Sequence, residues 1–110
     1  MSDGNMFSVF GRMTARPGRR DELIALLVQG FRAGGEGGGL VGYSVNTAFD
    51  DPDTIWLTQL WVDKKAHDET TRSEPVAAVS QQIPPLLAGQ PEGCYGNAVH
   101  VHGRTLGDEQ

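Results

Sequence analysis

The spacing of apolar residues changes along this chain, and the order of the changes is the strongest constraint on its fold. Met6–Arg16 alternates apolar and polar side chains, which predicts a strand. Arg19–Arg32 has apolar residues three and four apart, which predicts an amphipathic helix. Leu40–Ala48 and Thr54–Val62 are rich in β-branched and aromatic residues and are joined by an aspartate-rich turn, which predicts a hairpin.

The second half of the chain adds another helical region and another strand. Lys64–Arg72 predicts a short helix, and Ser73 can cap a second one, which Pro84-Pro85 must kink or break. Cys94–Arg104 predicts the last strand. The order β-α-β-β-α-β predicts an α+β, ferredoxin-like fold, in which an antiparallel sheet carries helices on one face. At 110 residues we expect one domain, residues 1–110, with its core at about 6–104 and frayed tails at 1–5 and 105–110.

The glycine-rich segment Gly34–Gly39 joins the first helix to the second strand. A phosphate-binding glycine loop needs a strand before it and a helix after it, and here the order is reversed. We therefore expect this segment to be a flexible connector.

Charge and cysteine content exclude several classes of partner and compartment. The net charge is -5, and the basic residues Arg16, Arg19 and Arg20 form the only cluster, so we expect neither nucleic-acid nor membrane binding. The single cysteine, Cys94, has no partner for a disulfide within the chain and fits a reducing compartment. No apolar run approaches the length of a membrane span, and the first residues lack a signal-peptide core. We expect a cytoplasmic protein.

Large apolar side chains fall on both faces of the predicted sheet. Phe7 and Phe10 are opposed by parity, as are Trp56 and Trp61. Helices can cover one face, and a second copy of the chain is the simplest cover for the other, so we expect a homodimer.

Polar residues among apolar neighbours mark candidate binding positions on the central strands. Gln59 and Trp61 project to the same face as Leu57, either as a polar handle and an aromatic wall of a ligand pocket or as a satisfied core pair. Tyr43 and Asn46 lie on opposite faces of the second strand, so only one can line a given cavity unless a bulge intervenes.

Histidine supplies the remaining candidate chemistry. His67 begins the helix after the third strand and can move a proton near neutral pH, or it is a partly exposed helix residue. His100 and His102 share a face of the last predicted strand, but no third metal ligand accompanies them, so we expect no metal site. Cys94 has no obvious local base and is interpreted as a small hydrophobe.

Two stretches, FGRMTARPGRRDELIALL and YSVNTAFDDPDTIWLTQLWVDKKAHDETTRSEPV, resemble the antibiotic biosynthesis monooxygenase family, over about Phe7 to Leu87. The string Asp51-Pro52-Asp53, Trp61 and the pair His67-Asp68 are similar to a subgroup of quinol monooxygenases. The resemblance implies a dimeric α/β barrel that oxidises a quinol, phenolic or polyketide aromatic with molecular oxygen. It implies that neither a metal nor a flavin is required, because the substrate anion itself passes an electron to oxygen.

The resemblance also shapes the choice of candidate site residues. Many family members carry a glutamate where this chain has Gln59 and a histidine where it has Thr70. His67 therefore becomes the candidate catalytic base, with Gln59 as hydrogen-bond donor to the substrate anion. The candidate substrate contacts are Trp61, Tyr43, Asn46 and Leu57.

Two other functions are compatible with the same fold. One is a non-catalytic barrel that binds a small molecule. The other is a haem-binding or haem-degrading relative, which resembles this chain in fold but needs an asparagine, a second tryptophan and a histidine where this chain has Gly11, Thr70 and Ser80. Those mismatches disfavour haem.

Overall fold

The computed structural model describes residues 6–35 and 38–102. The predicted tails at 1–5 and 105–110 lie outside this part of the chain, as does the middle of the glycine-rich connector. The predicted order of strands and helices is confirmed, and the fold is α+β and ferredoxin-like. Its elements are β1 (Met6–Thr14), α1 (Arg20–Gly35), β2 (Leu40–Thr47), β3 (Thr54–Trp61), α2 (Lys64–Thr71), α3 (Glu74–Ser80), a 3₁₀ turn (Pro84–Leu86) and β4 (Glu92–Ala98).

The four strands form one antiparallel sheet in the order β2-β3-β1-β4. The register places Phe7 opposite Trp61 and Val9 opposite Gln59. Because partners across strands share a face, the alternation of β1 and β3 brings these side chains together beneath the helices.

The helix-covered face holds the core. Leu23 of α1 and Ile55 of β3 are completely buried and belong to a cluster with Ala15, Leu27, Leu57 and Leu86. A second cluster joins Phe7, Val9 and Trp61. The two clusters lie at opposite ends of the same sheet face, with Gln59 between Leu57 and Trp61 along β3.

The last strand differs from its predicted bounds of Cys94–Arg104. It runs Glu92–Ala98, because it pairs with β1 from Arg12 opposite Glu92 to Met6 opposite Ala98. His100 and His102 therefore lie beyond the strand, and their predicted place on one face of it is wrong.

The second helical region is also shorter than its apolar pattern suggests. The helix capped at Ser73 ends at Ser80, and Pro84 and Pro85 form a separate 3₁₀ turn that buries Leu86. A missing amide hydrogen at each proline prevents continuation of the α-helix.

Gly39 lies directly before the start of β2 and has a φ of 91°, a conformation that favours glycine.

The opposite face of the sheet carries no helix among the described residues. Phe10 and Trp56 project from it and are about half exposed, as their parity predicts. A broad groove crosses this face and is bordered by the segment containing His100 and His102. None of the helices in residues 6–35 and 38–102 has the length and apolar character needed to cross a membrane.

Candidate functional site

A cavity of about 160 Å³ lies between β3 and the three helices. Three of the residues singled out from sequence, Gln59, Trp61 and His67, line it together, and Leu57 lies beside them. Two exposed residues, Thr71 and Ser80, also border it and mark its side toward solvent. The remaining wall is mainly apolar: Leu26, Leu27, Phe31, Leu40, Val76, Val79 and Ile83.

Gln59 and Trp61 form a hydrogen-bonded pair on β3. The indole Nε1–H of Trp61 donates to Oε1 of Gln59 at 2.9 Å, and the indole is 2% exposed. Strand periodicity places both side chains on one face, two residues apart. With its carbonyl oxygen occupied, Gln59 has its amide N–H₂ group available to a ligand.

His67 lies deeper than a helix histidine ordinarily would. Only 6% of it is exposed, so the alternative of a partly exposed helix residue is wrong. Its ring lies 5.1 Å from Phe7, 5.3 Å from Trp61 and 5.4 Å from Tyr95, measured between ring centroids. The Asp63 carboxylate caps α2 by accepting the backbone N–H of Ala66, and this holds the first turn that carries His67.

Asp68 fixes the orientation of the His67 ring. Nδ1 of His67 lies 2.9 Å from Oδ1 of Asp68, and Oδ2 accepts a hydrogen bond from Nζ of Lys64 at 2.7 Å. These two contacts, the one from Lys64 first, lower the pKa of Asp68 below its usual range. An ionised carboxylate only accepts hydrogen bonds, so in the neutral form of His67 the hydrogen is on Nδ1 and the lone pair is on Nε2.

Thr70 occupies the position at which the family resemblance leads us to expect a histidine. It is buried at the edge of the cavity, and its hydroxyl donates to the carbonyl oxygen of Gly38 at 3.1 Å. Thr70 therefore secures the end of the glycine-rich connector, and His67, nearly one helical turn earlier, is the histidine that reaches the cavity.

Two predicted substrate contacts lie elsewhere. Tyr43 stacks on Phe31 with ring centroids 4.1 Å apart, and only Phe31 borders the cavity. Asn46 projects from the opposite face of the sheet, where its amide donates to Ser44 Oγ and to the carbonyl of Trp56, each at 3.0 Å. Parity on β2 separates the two residues as predicted, and neither touches the space between Gln59 and His67.

The other candidate groups do not assemble into a second reactive site. Cys94 lies exposed on β4 rather than packing as a small hydrophobe. Within residues 6–35 and 38–102, no three side chains among His, Cys, Asp and Glu approach one another as metal ligands do. Independence from metals and flavins stays a prediction.

Tyr95 is a site residue that sequence reasoning missed, and Asp68 is one whose role it did not assign. Tyr95 reaches the His67 ring because β4 pairs with β1, which sets Tyr95 opposite Val9. Only the register supplies that information. The adjacency of Asp68 to His67 was visible in the sequence, but neighbouring helix residues do not normally face each other.

The domain is a ferredoxin-like sheet with a small cavity beneath its helices, and Phe31 and Trp61 are among the residues that line the cavity. The antibiotic biosynthesis monooxygenase profile matches residues 6–82, and this chain belongs to that family.

Solved structures agree with this assignment. A protein of Chloroflexus aurantiacus, named as a candidate antibiotic biosynthesis monooxygenase, is 34% identical, with a TM-score of 0.80 over 89% of this chain and 97% of its own. A similarly named Caulobacter crescentus protein shares the fold at 16% identity, with a TM-score of 0.80 over 88% of this chain and 92% of its own. No curated protein matches the chain by sequence.

Proposed function

We propose that this protein is a cofactor-independent monooxygenase that oxidises a quinol or another phenolic aromatic with molecular oxygen. The observation that supports this most strongly is the convergence of Gln59, Trp61 and His67 on one cavity, with the His67 ring held by a carboxylate. Family membership supports the oxygenase class, and the cavity chemistry supports an ionisable aromatic substrate.

The proposed reaction needs no electrons beyond those of the substrate. A hydroquinone and one O₂ give a hydroxyquinone and one water: one oxygen atom bonds to a ring carbon, and the other leaves with two hydrogens from the substrate. The first requirement is ionisation of the phenol, because the phenolate gives up an electron far more readily than the phenol does. An apolar cavity opposes that charge, so a proton acceptor and an anion partner must be close by.

His67 and Gln59 meet these two requirements. Nε2 of His67 accepts the phenolic proton, since Nδ1 is engaged by Asp68. The amide N–H₂ of Gln59 then donates to the phenolate oxygen, because its carbonyl is held by Trp61. The Trp61 indole and the apolar residue Leu57 provide surfaces against which the ring packs.

The proposed active form is a homodimer. Phe10 and Trp56, each about half exposed on the helix-free face, form an apolar surface that a second copy would cover. Such a dimer would place the two sheets face to face and leave each cavity within its own subunit.

The alternative function is that of a non-catalytic binding protein with the same cavity. It predicts that a phenol binds without any oxygen uptake. The haem alternative has no support in the cavity, where Thr70 and Ser80 stand at two of the positions that haem-binding relatives use.

Oxygen uptake by the purified protein distinguishes these functions. We expect consumption of O₂ with some member of a panel of hydroquinones and anthrones, undiminished by a metal chelator. Binding without uptake would establish the binding-protein alternative, and loss of activity on chelation would contradict cofactor independence. A Soret shift on addition of haemin would instead favour the haem-binding relative.

A further inference from the structure

The size of the cavity limits what can be bound within it. Its volume is about 160 Å³, close to the roughly 150 Å³ of an engineered apolar cavity that holds one benzene molecule. Pockets for drug-sized ligands are larger, about 300–1,000 Å³. We propose that the ligand of this site is a monocyclic phenol or hydroquinone, and that Gly30 of α1 sets the limit on its size. This inference rests on the proposed function and narrows its substrate class.

The lining combines a mainly apolar wall with a few polar side chains, which suits a single ring bearing a hydroxyl. Leu26, Leu27 and Ile83 contribute to the apolar part, whereas Gln59 and His67 supply the polar groups. A fused three-ring molecule such as an anthrone would have to leave most of its surface outside. One ring with its hydroxyl toward Gln59 and His67 satisfies both parts at once.

Gly30 is an unfavourable residue for its position. It lies in the interior of the 16-residue helix α1, where glycine costs about 1 kcal/mol relative to alanine. Packing between helices does not require this glycine. A Cβ built there would meet only Val79, with Cγ1 at 3.6 Å, an ordinary van der Waals contact. Gly30 and Val79 both line the cavity, so the missing methyl group is space left open to the ligand.

Gly34, one turn later in α1, is a position at which packing between helices does require glycine. A Cβ at Gly34 would lie 2.7 Å from Cγ2 of Thr70 and closer still to Val76. Real structures do not tolerate such contacts without a shift of the neighbouring helix. Both glycines line the cavity, but only Gly34 is required by packing between the helices, so the space beside Gly30 is the space left to the ligand.

Binding measured under anaerobic conditions tests the size limit separately from the chemistry. The probes are hydroquinone, tert-butylhydroquinone and anthrone, titrated by calorimetry. We expect hydroquinone to bind at least tenfold more tightly than anthrone, since one methylene of misfit in an apolar pocket already costs about tenfold or more. Equal or tighter binding of anthrone would overturn the inference and leave the proposed monooxygenase intact. Failure of every probe to bind would contradict the proposed function and this inference together.

Substitution of Gly30 tests the residue itself. Gly30→Ala should raise the midpoint of thermal unfolding by about 4–8 °C, because alanine favours the helix and fits beside Val79. The same variant should weaken tert-butylhydroquinone binding by about tenfold or more and affect hydroquinone less. Gln29→Ala, an exposed neighbour on the same helix, is the matched control and should leave both affinities unchanged.

A second substitution at Val79 distinguishes two causes of weaker binding in Gly30→Ala: loss of space in the cavity and a general disturbance of α1. Val79→Ala removes the side chain that the new methyl group would touch, so the double variant Gly30→Ala/Val79→Ala should recover tert-butylhydroquinone binding. Unchanged affinities in Gly30→Ala, together with the expected gain in stability, would show that Gly30 does not face the ligand. Lost affinity that the double variant fails to recover would also contradict the size limit.

Discussion

His67 is the residue on which the proposed chemistry depends most. Its ring is surrounded by three aromatic rings and has one hydrogen-bond partner among the described residues, Asp68. Aromatic neighbours supply packing without competing for Nε2. Nε2 of His67 therefore remains available to a molecule in the cavity.

Removal of the proposed base gives the first prediction. His67→Ala should lower kcat by about 10²- to 10⁴-fold, the usual contribution of general-base catalysis.

The matched control is His100→Ala, which removes an exposed histidine bordering the groove on the other face of the sheet. It should retain the wild-type rate. A His67→Ala variant with full rate would refute the assignment, and the proton would then go to His100, to His102 or directly to solvent.

Asp68 gives a second prediction, because its role is to position His67. Asp68→Asn replaces a pure acceptor with a group that can also donate, so the preference for hydrogen on Nδ1 should weaken. We expect a loss in kcat of about 10- to 100-fold, as found for groups that orient metal-bound histidines. The ¹⁵N NMR shifts of the His67 ring should show the altered tautomer.

The control is Glu69→Gln, which removes the adjacent exposed charge and should change neither kcat nor the His67 tautomer. An unaltered tautomer in Asp68→Asn would contradict the positioning role.

At the scale of whole elements, the sequence predicts the helix-covered half of the fold well. The parity of β1 and β3 places Phe7, Gln59 and Trp61 on one face, and the observed register brings them together on the predicted face. The shared site of Gln59 and Trp61 follows from parity alone. That His67 reaches the same cavity depends on how α2 packs, which no local pattern specifies.

The bounds of the edge strand β4 are harder to predict, for a physical reason. β4 is paired only with β1 in the sheet and is mostly exposed, so its sequence carries little alternation. Valine and histidine alternate after Ala98, which favours a strand as far as Arg104. In the described chain, however, the pairing with β1 ends at Met6 opposite Ala98, so the strand ends there. The contact of Tyr95 with His67 and the separation of Asn46 from the cavity both follow from the three-dimensional arrangement of the sheet.

The hairpin turn between β2 and β3 gives a prediction about acid stability. The Asp51 carboxylate accepts hydrogen bonds from the Thr54 hydroxyl at 2.6 Å and from the Asp53 backbone N–H at 3.0 Å. These bonds, the one from Thr54 first, lower the pKa of Asp51. Because the folded state favours the ionised form, Asp51 stabilises the protein above its unfolded pKa of about 3.9, and this contribution is lost as pH falls through the lower folded value.

Asp51→Asn should therefore destabilise the hairpin at neutral pH, and the difference from wild type should shrink below about pH 4. Chemical denaturation at a series of pH values measures this difference. Asp50→Asn, at the exposed neighbouring position, is the control and should follow the wild-type curve. A difference between Asp51→Asn and wild type that is independent of pH would show that the carboxylate charge plays no part.

At the scale of the whole molecule, the helix-free face predicts association of two copies. An obligate interface of this kind buries on the order of 2,000 Å² or more in total. Sedimentation velocity should give a dimer at micromolar concentration, and Phe10→Glu, which places a charge on the half-exposed apolar surface, should shift it toward monomer. Phe49→Glu, at an exposed apolar position in the turn between β2 and β3, is the control. A wild-type monomer at that concentration would contradict the proposed assembly.

The central proposal for this protein is the insertion of one oxygen atom from O₂ into an aromatic ring within the cavity beside His67. Incubation with a monocyclic hydroquinone under ¹⁸O₂, in the presence of a chelator, measures this directly by mass spectrometry of the product. We predict one ¹⁸O atom in the hydroxyquinone and loss of that labelled product in His67→Ala. Two results would contradict the claim that this protein is a monooxygenase. One is unlabelled quinone with accumulating hydrogen peroxide, and the other is product formation no faster than in the absence of protein.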